Sequence, residues 1–119
     1  TPLYSSAASD VYKRQEEDCM FLAMNRFKIK KGRELDFEQI WRARDTHLEE
    51  VEGFETFSLV RGNSEECYTL YASHTIWKSR QYFEAWTKSE AFRHAHKNAG
   101  NHGDIYLGHP EFEGFEKVI

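Results

Sequence analysis

The chain is predicted to fold as a single α+β domain, and three observations point there. Segments of strand and helix period follow one another in the order β-α-β-β-α-β. The strands carry apolar residues on both faces. The composition, 39% hydrophobic and 30% charged over 119 residues, is that of a globular protein with one core. The aromatic share of 15% is high. In so small a domain, that excess serves the core, an interface or a flat aromatic ligand.

The same features exclude several classes of function. The net charge of −4 is spread over mixed signs, with no basic block for nucleic acid and no acidic tail. No apolar run approaches the ~20 residues of a membrane span. Cys19 and Cys67 form neither a disulfide framework nor a metal spacing. No two histidines show a recognised zinc-ligand spacing. A reducing, cytoplasmic compartment is the expectation.

Thr1 to Gln15 has no helix or strand period and no capping pattern, and it lacks the apolar stretch of a signal peptide. It reads as adaptor-like sequence joined ahead of a natural start at Met20, or as a disordered extension. Residues 1–19 are therefore set apart as a non-native or disordered leader, and residues 20–119 as the functional domain.

Within that domain, Met20 to Lys30 alternates as a strand, with Phe21, Ala23, Asn25, Phe27 and Ile29 on one face. After the Lys31-Gly32 turn, the stripe of Phe37, Trp41, Arg44, Leu48 and Val51 predicts one helix from Arg33 to Val51, ended by Gly53. Phe54 to Arg61 and Cys67 to Trp77 read as strands joined by a Gly62-Asn63-Ser64 hairpin loop. Ser79 is placed to cap a helix over Arg80 to Lys88. A second short helix runs to about Ala99, a flexible loop covers Gly100 to Gly103, and a last strand lies near Phe112 to Val118. This order is the split-βαβ, ferredoxin-like pattern. Helices cover one sheet face, so the other face requires a partner. The expectation is a dimer with its sheets packed face to face, an α+β barrel.

Three residues stand out from the packing pattern. Asn25 interrupts an apolar strand face, where an amide without partners costs roughly 1–3 kcal/mol. It is either satisfied by nearby backbone or aimed into a ligand pocket. His96 shares a helical stripe with Phe92, Ala95 and Ala99, whereas His94 points roughly opposite. His96 is therefore a satisfied core residue or a metal ligand of the kind that binds haem iron. Trp86 shares a face with Phe83, for packing or for a ligand wall. Trp41 and Trp77 are the better core candidates. His74 is either buried or lines a cavity, and His109 beside Pro110 reads as structural or at a dimer edge.

The segments MNRF, TIWKSRQYFEAWTKSEAF and the following Ala95-His96 resemble the IsdG-type haem-degrading monooxygenases, within the antibiotic biosynthesis monooxygenase superfamily of dimeric α+β barrels. The resemblance covers Met20 to about Ala99. The C-terminal YLGHPEFEGFE is similar to a branch found in Gram-negative haem-utilising bacteria. The resemblance implies that haem is both cofactor and substrate, opened with O₂ and an external electron donor or reductase, with release of iron. It implies that His96 ligates the iron, that Asn25 donates to oxygen on the distal side, and that Trp86 distorts the macrocycle. Here His94 stands where that family has an apolar residue. Three other functions fit the same residues: a cofactor-independent quinol-type monooxygenase, a haem-binding protein without turnover, and a partner-binding module.

Overall fold

A computed structural model describes residues 19–44, 46–96 and 103–119. Most of the leader, the end of the second helical segment and the loop expected at Gly100 to His102 lie outside the described residues. The elements are β1 (Phe21–Lys30), α1 (Glu34–Ala43), β2 (Phe54–Ser64), β3 (Tyr68–Trp77), α2 (Arg80–Thr87), α3 (Glu90–His96) and β4 (Glu111–Glu116). The strands form one antiparallel sheet in the order β2-β3-β1-β4. This is the α+β, ferredoxin-like arrangement expected from the sequence.

The inner face of the sheet carries two separate aromatic cores. One gathers Phe27, Ile29, Phe37, Tyr71 and Ile105, and α1 covers it. The other gathers Phe21, Ala23, Leu48 and Trp77, with Phe83 and Trp86 of α2 packed against it. Along β1 the break between the two cores falls at Asn25, the one inward residue of that strand that is not fully buried. The Tyr71 hydroxyl fixes α1 over the sheet by donating to Glu38 Oε2 at 2.5 Å. Burial and this bond push the phenol up to about 12.

The structure corrects four local expectations. The single helix from Arg33 to Val51 is broken. α1 ends at Ala43, Arg44 is extended, His47 adopts φ 52°, and Leu48–Glu50 is a separate 3₁₀ turn. Leu48 is still buried, because this turn swings it onto the second core. The hairpin turn is not Gly62-Asn63-Ser64, which lies within β2. The chain reverses at 65–67, where the Glu65 amide donates to the Tyr68 carbonyl at 2.7 Å, after a bulge between Arg61 and Ser64. Ser79 occupies the N-cap position of α2 without a side-chain capping bond. It is Ser89 that caps, its Oγ accepting from the Phe92 amide at 3.1 Å. Finally, Trp77 is fully buried, but Trp41 is only partly so. It stacks on Phe57 at 5.6 Å and forms a wall between core and cavity.

The outer face of the sheet is bare among the described residues. It presents Leu22 and Met24 of β1, Val60 of β2, Ala72 and Ile76 of β3 and Phe115 of β4, all in register. His74 lies on this face beside Met24, not in the cavity.

Candidate functional site

The gap between the two cores is a cavity of two adjoining chambers, about 410 and 620 Å³. Both are bounded by Asn25, Trp41, Arg44 and His96. The sheet forms the floor. Asn25 of β1 lies directly across from Ser73 of β3, and among the described residues nothing hydrogen-bonds the Asn25 carboxamide. The helices form the roof, with Trp86 from α2 and Phe92 and His96 from α3. Phe112 of β4 closes the inner end, stacked on Phe83 with ring centres 5.5 Å apart and planes 6° from parallel.

The His96 ring is held from two sides. It stacks on Phe92 at 4.1 Å and meets Trp86 edge-on at 5.9 Å. Its Nδ1 lies 2.8 Å from the Phe92 carbonyl oxygen, one helical turn back. A carbonyl only accepts, so Nδ1 carries the proton and Nε2 is left with a free lone pair. This supplies the backbone acceptor that a metal-binding histidine needs and that the sequence alone does not reveal. Burial lowers the His96 pKa, the Phe92 carbonyl opposes that shift, and the charge of Arg44 adds to it. The ring is therefore neutral near pH 7.

His94 is exposed, with its ring 6.2 Å from that of His47. The two histidines of α3 thus point apart, as the helical phase predicts, and of the two only His96 borders the cavity.

Arg44 is the functional candidate that sequence reasoning missed. Placed on a presumed helical stripe, it instead sits at the break after α1. Its guanidinium lies 4.2 Å over the Trp41 ring, and burial lowers its pKa. Among the described residues it has no carboxylate partner, and no Asp or Glu borders either chamber. The Nε1–H groups of Trp41 and Trp86 are buried without an acceptor among the described residues. Among the described residues the cavity therefore combines flat aromatic walls, the Arg44 cation, unsatisfied donors and the bare Nε2 of His96. This chemistry suits a large, flat, anionic ligand that offers a metal or other electrophile near its centre.

The chain resembles known proteins over most of its length. The family profile described as antibiotic biosynthesis monooxygenase matches residues 20–98. A staphylobilin-producing heme oxygenase 1 of Staphylococcus aureus (strain Newman) is 33% identical over 78 residues, covering 66% of this chain and 72% of the relative. The heme-degrader MhuD of Mycobacterium tuberculosis, solved with two hemes bound in its active site, superposes with a TM-score of 0.64. It is 25% identical, over 83% of this chain and 96% of MhuD. SnoaB of Streptomyces nogalater, a cofactor-independent oxygenase solved as an N63A mutant, shares the fold at TM-score 0.60 and 18% identity, over 81% of this chain and 90% of that one.

The lowered pKa of His96 has a consequence for stability. An unfolded histidine takes up its proton near pH 6.5, whereas the folded ring resists it. Stability tied to this residue is complete above pH 6.5 and is lost as pH falls toward the folded value. In urea unfolding between pH 7.5 and 5, the wild type should lose stability relative to His96→Gln. A difference between the two that stays constant over that range would contradict the neutral, buried ring.

Proposed function

The chain belongs to the antibiotic biosynthesis monooxygenase family, and we propose that within it the chain is a haem-degrading monooxygenase. Haem would be both cofactor and substrate, and iron would be released when the ring is opened. One observation carries the reading. His96 is a neutral imidazole whose Nδ1–H is committed to the Phe92 carbonyl, and it borders an aromatic cavity with chambers of about 410 and 620 Å³. A cofactor-independent oxygenase needs no axial ligand.

Haem, when bound, supplies the iron at which O₂ is activated and is itself the ring to be cleaved. His96 would hold that iron through Nε2, the nitrogen left free by the Phe92 carbonyl. Asn25, on the sheet side, offers carboxamide N–H donors where negative charge grows on oxygen, and it needs no rearrangement to do so because no described residue occupies it. Trp86 is wedged between Trp77, Phe83, Phe92 and His96, with ring centres 4.8 to 6.1 Å away. So braced, it is a rigid wall against which a macrocycle bends. Arg44 stands where a cation meets a ligand carboxylate.

Electrons come from an external reductant or a reductase. The free thiols Cys19 and Cys67 fit a reducing cytoplasm, and no described helix is long and apolar enough to cross a membrane. The functional domain is residues 20–119, with residues 1–19 outside it. The bare outer sheet face is the surface on which a second copy packs, giving a homodimer with one cavity per subunit.

Haemin assays, folding stability and sedimentation test these proposals. Purified protein mixed with haemin should give a histidine-ligated spectrum, and ascorbate in air with catalase present should then bleach the haem band. Asn25→Ala should bind haemin as tightly but turn over roughly a hundredfold more slowly. A protein that binds haemin and never bleaches it is a carrier, and one that ignores haemin is a different kind of oxygenase. A purely structural Asn25 would instead lower stability at normal activity per folded molecule. Sedimentation should give twice the 14.1 kDa chain mass. A stable monomer at micromolar concentration would sink the face-to-face dimer.

A further inference from the structure

The two chambers of the cavity differ in chemistry. The inner chamber is walled by Phe83, Trp86, Phe92 and Phe112. Arg44 borders both chambers; the outer one adds Tyr106 and His109, with no acidic residue on its wall among the described residues. Tyr106 and His109 come from the segment leading into β4, and that segment is fixed at both ends. Tyr106 bridges to Ile29, the Leu107 amide donates to the Lys28 carbonyl at 2.7 Å, and Glu111 pairs with Arg26. Between these anchors the chain turns at Gly108, φ 88°, where a side chain would be strained. His109 follows directly and is set on the outer wall.

Position excludes one role for His109. Measured along β1, it falls between the anchors at Lys28 and Arg26, about two residues or roughly 7 Å from Asn25 at strand spacing, and one strand to the side. A ring centred between Asn25 and His96 therefore meets His109 at its edge and not at its metal. The side chains there are donors. Arg44 is a cation, Tyr106 offers a hydroxyl, and an imidazole offers at least one N–H in either protonation state.

We propose that His109, with Tyr106 beside it, receives the propionate carboxylates of the tetrapyrrole. It thereby fixes the rotation of the ring about the axis through its metal. This rests on the haem reading above and extends it to specificity. The more aromatic inner chamber takes the edge without carboxylates, the outer chamber with Tyr106 and His109 takes the edge that bears them, and the rotation decides which meso carbon faces Asn25. His109 is a specificity-determining residue and does not ligate the iron.

The test compares haemin with haemin dimethyl ester, whose carboxylates are masked, in wild type, His109→Ala, His109→Gln and Tyr106→Phe. Binding is followed by visible titration, and product isomers are separated by chromatography. His109→Ala should weaken haemin binding roughly tenfold while leaving ester affinity and the saturated spectrum unchanged. It should also broaden the product isomer distribution. His109→Gln, which keeps an N–H donor, should recover most of the haemin affinity, and Tyr106→Phe should weaken haemin binding in the same selective way. Equal weakening for both porphyrins, or none, overturns the proposal, and so does a changed saturated spectrum, since that makes His109 an iron ligand. A wild type that binds the ester and haemin equally well also overturns it, with the haem reading intact. A wild type that binds neither overturns the haem reading itself.

Discussion

The central constraint of this molecule is that one sheet face carries two cores and not one. A continuous core would run Phe21, Ala23, a large apolar residue, Phe27 and Ile29 along β1. The chain has Asn25 at the middle position, opposite Ser73. An amide there cannot be sealed under a helix without partners, so the apolar cover divides. α1 packs on one side, while α2 and the 3₁₀ turn pack on the other. The cavity is the space between them, and the other features of the site are arranged around it.

That division accounts for the positions of the functional groups. The end of α1 leaves Arg44 at the cavity rim, its charge spread over the Trp41 face. α3 begins with the Ser89 cap and needs less than two turns to bring His96 over the gap, and its own backbone supplies the acceptor for Nδ1. Thus a helix of only seven residues fixes the ring's tautomer and orientation without a second side chain. Such economy suits a reaction in which the hard chemistry belongs to the ligand and the protein supplies position, a donor and exclusion of water.

The sequence shows its strand and helix periods clearly, and these sufficed for the order of elements, the inward face of β1 and the opposite directions of His94 and His96. Asn25 was visible because a polar residue on an apolar face breaks the alternation. What the sequence hides depends on cooperation between distant segments. The helical stripe continues through Leu48 and Val51 although the helix stops at Ala43, because a 3₁₀ turn can return the same residues to the same core. Period alone therefore cannot reveal the break, or the exposure of Arg44 to the cavity. The hairpin loop was misplaced because Gly62-Asn63-Ser64 has turn chemistry but lies in a bulged strand, with Gly62 packed close to Leu70. His109 reaches the cavity through the Gly108 turn and the register of β4 on β1, neither of which has a local signature.

The proposed chemistry depends on which histidine of α3 meets the ligand. The most direct measurement is the visible spectrum of ferric haem titrated into His96→Ala and into His94→Ala, with the apo fold of each checked by circular dichroism. The geometry predicts that His96→Ala stays folded but loses the histidine-ligated spectrum, which added imidazole partly restores, while His94→Ala matches the wild type. If His94→Ala abolishes the ligated spectrum, or His96→Ala leaves it intact, then the Phe92-anchored ring is only a packing element and the proposed site is wrong.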